Sequence, residues 1–231
     1  TRSEFPSHSR NDVMTQLPAL KKKYLTYKSF AEATLDQVFT KEVLDKSYKL
    51  TATYSLSSYI ENKGNGKFVV HALPAAAQLS PLNGIVIDDV NDDSHLDIVA
   101  VGNDYGTEVS TGRYDALNGL VLLGDGKNGF KSAQLNTTGF YVPGNAKGLV
   151  QLSGVGNERW WIASQNRDSV KVFKSAKPGQ WISVKSTDKI LKYTMPNGKQ
   201  VRRELNWGSS FLSQSTRKVF VPSNAKDIVL K

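Results

Sequence analysis

Asp89, Asn91, Asp93 and Asp97 put an oxygen-bearing side chain at positions 1, 3, 5 and 9 of the stretch Asp89 to Asp97, and His95 at position 7 can offer its backbone carbonyl. A hard cation such as Ca²⁺ takes six to eight oxygens from a short curled loop, which this spacing supplies. Five carboxylates (Asp88, Asp89, Asp92, Asp93 and Asp97) crowd the same segment, and a bound cation would relieve their mutual repulsion. An EF-hand does not fit, because position 12 is Ala100 and the flanks lack helical periodicity. The pattern points to a calcium loop on a β-hairpin; the bland alternative is an acidic, solvated turn. Ser94 stands where a glycine would suit the sharp bend.

A second set of candidates follows in Asp104, Tyr105, Glu108, Arg113, Tyr114 and Asp115, a long polar stretch with aromatics of the kind that carries ligands on rigid β scaffolds. Tyr105, Tyr114 and the distant Trp207 could stack on sugar rings or simply pack a hairpin edge. Glu108 with Asp104 or Asp115 could form a carboxylate pair, so a hydrolase or lyase acting on polysaccharide is the enzymatic alternative. Only His8, His71 and His95 are present, none beside a plausible serine nucleophile, which argues against a catalytic triad.

The elements that must hold these residues read as strands. Gly84-Ile85-Val86-Ile87 and Ile98-Val99-Ala100-Val101 are short, apolar and β-branched on either side of the acidic loop. From about Tyr54 onward a repeat appears: Ile60 to Phe68 aligns with Leu122 to Phe130, Leu73 with Leu135, Gly84-Ile85-Val86 with Gly148-Leu149-Val150, and Ile98 to Asn103 with Trp161 to Asn166. A third partial copy begins at Ser169-Val170-Lys171-Val172-Phe173. Repeated antiparallel units of four strands suggest propeller blades. In the second copy the acidic loop is replaced by Ser153 to Arg159, so the hairpin itself does not require the acids. Gly124-x-Gly126-x-x-Gly129 matches a dinucleotide fingerprint, but a strand follows it where a helix is needed, so that reading is rejected.

Residues 10–48 read as helical, with Leu17, Leu20 and Tyr24 at helical spacing, Ser29 as an N-cap with Glu32 completing a capping box, and Thr40 opening a short helix. The 231 residues, 39 % apolar and 10 % aromatic, describe a chain that can bury a core. There is no cysteine, which excludes disulfides, thiolate zinc sites and cysteine nucleophiles. No run of apolar residues is long enough for a transmembrane helix, and Thr1 to Arg10 has no signal-peptide core. The net charge of +9 is uneven: Pro81 to Ser110 holds seven acids and no Lys or Arg, whereas Lys171 to Lys231 holds thirteen Lys and Arg against three acids. Polyanion binding by that basic C-terminal region is a further alternative, although its lysines are scattered without interleaved stacking aromatics, so nucleic acid is not expected as a partner.

The repeats with Asp-x-Asn-x-Asp and a following Asp resemble FG-GAP/VCBS blades. Met195 to Gln200, followed by Trp207-Gly208-Ser209-Ser210-Phe211-Leu212-Ser213-Gln214-Ser215, resembles the C-terminal ASPIC/UnbV module. Together they look like the C-terminal part of a large secreted VCBS-repeat protein of the kind found in Bacteroidetes. The resemblance implies a mainly β fold: a helical segment over 1–50, a partial β-propeller of four-stranded blades over 51–180, and a small β module over 181–231. It implies a non-enzymatic, extracytoplasmic module (secreted, periplasmic or on the outer-membrane surface) with calcium at Asp89, Asn91, Asp93, Asp97 and the His95 carbonyl. Partners would be a glycan or a surface protein, with upstream blades in a longer parent chain. The two and a half blades expected here cannot close a ring. Their edges must then be covered by more of the parent, by the helices or by another copy.

Overall fold

The computed structural model describes residues 3–109, 111–175 and 177–231. It is mainly β, with 37 % strand and 17 % helix in several antiparallel sheets, none closed. The chain divides into two units, Thr1–Ser55 and Leu56–Lys231.

The first unit is helical in short pieces: α1 (Arg10–Gln16), a 3₁₀ turn (Pro18–Lys22), α2 (Tyr27–Ala31), α3 (Leu35–Val38) and α4 (Lys41–Lys46). Met14, Tyr24, Phe30, Ala33 and Val38 form its core. Pro18 ends the first helix, because its ring cannot continue the hydrogen-bond ladder. Thr40 caps α4 as expected, accepting from Val43 N–H. Ser29 does not cap: α2 begins earlier, at Tyr27, capped by Thr26, whose hydroxyl accepts the Ser29 N–H, and the capping box lies at Thr34 and Gln37. Thr26 has the extended backbone an N-cap needs, whereas Ser29 lies inside the helix and its hydroxyl donates to the Thr26 carbonyl.

The second unit opens with the hairpin β1 (Ser58–Gly64) and β2 (Lys67–Ala72), turned by Asn65-Gly66, both at positive φ. Then come β3 (Leu82–Asp88), β4 (Asp97–Gly102), β5 (Leu120–Gly124) and β6 (Phe130–Ser132), an antiparallel sheet in sequence order. The dinucleotide-like glycines form the β5–β6 turn, as the repeat requires. After the short α5 (Leu135–Thr138), strands β7 (Ala146–Ser153), β8 (Arg159–Gln165) and β9 (Lys171–Ser175) form a second sheet in the same order. β9 stands to β8 as β5 stands to β4, so the third partial copy begins where the repeat put it.

The repeat breaks at the next strand. β10 (Gly179–Ser183) pairs with β13 (Lys218–Pro222) instead of extending β9, while β11 (Ile190–Thr194), β12 (Gln200–Glu204) and β14 (Lys226–Leu230) make a separate sheet. The β11–β12 turn is Met195-Pro196-Asn197-Gly198-Lys199, with Gly198 at φ +82.

β4 is buried along its whole length and serves two cores. Its period-2 alternation sends Val99 and Val101 into a cluster with Val86, Val121, Phe140, Leu149 and Trp161, and sends Ile98 and Ala100 into one with Leu73, Leu117, Leu120 and Leu122. Close approach of β3 to β7 depends on Gly84: a Cβ there would lie 2.6 Å from Leu149 N and 2.9 Å from the Gly148 carbonyl carbon.

Candidate functional site

The acidic loop joins β3 to β4, so its two ends are fixed by paired strands, with Asp88 opposite Asp97 in the register. Adjacent aspartates then diverge in role. Asp88, almost fully buried, receives Arg203 Nη1 at 2.7 Å, Arg159 Nη1 at 3.1 Å and Gln151 Nε2 at 2.7 Å. Arg159 is itself packed between rings, 4.6 Å from Phe220 and 5.5 Å from Trp161. Asp88 is therefore a structural ion-pair hub.

Among the described residues no cation forms an ion pair with Asp89. Its Oδ2 accepts the Ser94 N–H at 2.8 Å, while its Oδ1 is buried without a hydrogen-bond partner. Burial pushes its carboxyl above the usual aspartate range, opposed by the backbone N–H groups of Ser94 and Asp92 and reinforced by the charges of Asp93 and Asp92. Asp97 is fully buried and raised for the same first reason; its oxygens accept Val90 N–H and Gly124 N–H, each at 2.8 Å.

The outer loop is curled by its own side chains. Asn91 Oδ1 accepts Asp93 N–H at 3.1 Å, and Asp93 Oδ1 accepts His95 N–H at 2.8 Å. Burial would raise Asp93, but the bonds from His95 and Asn91 and the nearby imidazole outweigh it, and its carboxyl lies below the ordinary value. Asp92 and Ser94 take left-handed backbone at φ +61 and +69, and Asp92 pairs with Lys177 at 2.9 Å. Among the described residues no three acid or imidazole groups stand close enough together to hold an ion. The fit to a hard cation rests on other features: an all-oxygen donor set on one short loop and the orphaned Asp89 oxygen.

The second candidate group is partly assembled. Asp104 and Tyr114 form a backbone bridge, with N–H to O distances of 2.8 and 2.9 Å in the two directions. Arg113 stacks on Tyr105 at 5.1 Å. Asp104 is bonded by Gly106 N–H and by Lys147 Nζ at 3.3 Å, which together hold its carboxyl below the usual range and make it a poor proton donor. Glu108 and Asp115 are exposed, and Ser110 between them lies outside the described residues. What anchors this loop is Asn103, fully buried at φ +82, whose Nδ2 donates to Leu117 and Gly144 carbonyls and whose Oδ1 accepts Leu117 N–H.

Three features escaped sequence reasoning. Arg159 and Arg203 neutralise Asp88 from other sheets, a pairing with no local signal. Asn103 had one, a short polar residue closing an apolar strand. The third is the role of the serine-rich stretch near the C-terminus. Ser210 Oγ accepts Leu149 N–H and donates to Leu149 O, Ser215 Oγ accepts Gln151 N–H, and Thr216 Oγ1 accepts Ser153 N–H. These hydroxyls satisfy the outward backbone groups of β7 and cap its open edge.

No protein-family model matches the chain, and no curated protein matches it. Among the described residues no helix is long and apolar enough to cross a membrane.

Proposed function

We propose that this chain is a non-enzymatic β-repeat module of the FG-GAP/VCBS type. Its second unit would be part of an open propeller, and residues 181–231 an ASPIC/UnbV-like module that braces it. Calcium is its structural cofactor, held by Asp89, Asn91, Asp93 and Asp97 with the His95 carbonyl, and its place is extracytoplasmic. The observation that carries the metal reading is the buried, partnerless Oδ1 of Asp89 within a loop of oxygen donors. A divalent ion would supply the charge that Asp89 lacks and that Asp88 already draws from two arginines. The exposed Tyr105–Arg113 stack beside Tyr114 supports glycan or protein binding by the β4–β5 loop.

Calcium titration followed by thermal unfolding tests the metal reading. At a hundredfold excess over Kd, binding contributes about 2.7 kcal/mol. For a chain of this size that is a rise on the order of 5–10 °C over a chelated sample. An equal melting temperature with and without calcium sinks it. A glycan array reads the second part: no retained sugar among a broad set removes the glycan.

A further inference from the structure

β1–β2 and β5–β6 are the same hairpin twice. Ile60 faces Val70 as Leu122 faces Ser132, and Asn62 faces Phe68 as Gly124 faces Phe130. Their surroundings differ. β5 is covered on its other edge by β4, through Ile98–Leu122, Val99–Val121 and Ala100–Leu120. Among the described residues no strand pairs with the corresponding edge of β1. The consequence shows in one position: Leu122 is 0 % exposed and its counterpart Ile60 is 64 % exposed.

That edge carries an apolar face. Ile60, Phe68 and Val70 share one side of the hairpin and are more than half exposed, whereas Glu61 lies on the other side, paired with Lys63 at 2.8 Å and His71 at 3.0 Å. The backbone is oriented to receive a strand. The Ser57 carbonyl accepts Leu73 N–H from the β2 side, so by two-residue alternation Tyr59 and Glu61 also face β2. Ile60 and Asn62 therefore present their amides and carbonyls to the open side. The β7 edge is capped by hydroxyls of Ser210, Ser215 and Thr216, whereas the sequence of β1 places no proline at its edge.

We propose that the edge of β1 at Ile60 and Asn62, with which no strand pairs among the described residues, is a docking site for an extended, apolar β-strand of another polypeptide, added antiparallel as β4 is added to β5. The chemistry of the occupant is set by β4, the strand that covers the equivalent edge: short, uncharged after its first residue, and apolar on both faces. Backbone bonds to Ile60 and Asn62 supply the pairing, and burial of Ile60, Phe68 and Val70 supplies the hydrophobic contribution.

The probe is a labelled peptide with the sequence Leu96–Asn103, carrying appended lysines for solubility, with a scrambled peptide as control. The full chain is expected to bind it saturably, about tenfold tighter than the scrambled form, and to slow hydrogen exchange at the Ile60 and Asn62 amides. Ile60→Pro removes the outward amide without touching the β1–β2 ladder and is expected to abolish binding. If that variant melts early, Ile60→Lys decides, since it keeps the amide and charges the face; it too must weaken binding. Equal binding of the scrambled peptide, protection confined to other strands, or unimpaired binding by both variants overturns the proposal. Dimers that protect these amides without peptide would assign the edge to a second copy and overturn it equally.

Discussion

Asp88 and Arg203 are 115 residues apart, yet they meet at 2.7 Å and fasten the end of β3 to β12 of the C-terminal sheet. Burial opposes the charge on Arg203, but the Asp88 carboxylate beside it outweighs this and raises the guanidinium's pKa. Asp88→Ala would strand Arg159, which is 4 % exposed, without a counter-charge. The expected loss is about 3–5 kcal/mol in urea unfolding; a loss under 1 kcal/mol would show that the hub is not stabilising.

Asp89→Asn keeps an acceptor for the Ser94 N–H and removes the unpartnered charge. Without calcium the variant is expected to melt at or above the parent's temperature, and calcium should no longer raise it. A calcium shift of the parent's size in this variant would remove Asp89 from the ligand set.

Ser94 sits at φ +69, where a side chain is strained and glycine is not. Ser94→Gly preserves the N–H that Asp89 accepts. We expect a gain of roughly 1 kcal/mol and tighter calcium binding in a competition titration with a fluorescent chelator. Weaker binding would mean that the serine hydroxyl contributes directly.

Ser210→Ala removes both bonds to Leu149 and exposes the β7 edge. Faster hydrogen exchange at Leu149 and a loss of about 1–3 kcal/mol are expected. Unchanged exchange there would show that the hydroxyl cap is dispensable.

Glu158 reports on the second hairpin, where the acids are missing. Lys174 and the Trp160 indole N–H bond its carboxylate and hold its pKa below the ordinary 4.5, despite some opposing burial. A depressed folded value means that this contribution is present above the unfolded pKa and is lost as pH falls through the folded one. An NMR titration of Glu158 should therefore show its midpoint below 4.5; a midpoint at or above that value contradicts the bonds.

Much of the scaffold was legible in the chain. Asn65-Gly66 specifies the first turn because both residues tolerate positive φ, and short runs of apolar residues specify β3, β4 and β5. The 62-residue offset between Ile60 and Leu122 predicted two hairpins that share one register. The oxygen spacing from Asp89 to Asp97 was likewise readable, since a loop curls through contacts only two to five residues apart. The Ser29 cap was misplaced because two hydroxyls competed for one helix start, and residue type alone does not choose between them.

Sequence by itself determined what short-range geometry determines: turns, strand alternation, the repeat, and which residues carry oxygen in the loop. Only the tertiary structure decided that Asp88 meets two arginines while Asp89 meets none among the described residues, that β10 leaves the repeat for β13, and that β4 pairs with β5 while no described strand but β2 pairs with β1. These outcomes depend on partners scores of residues away, such as Arg203 and Ser210. Local periodicity reports only whether a side chain faces inward, not which side chain it will meet there.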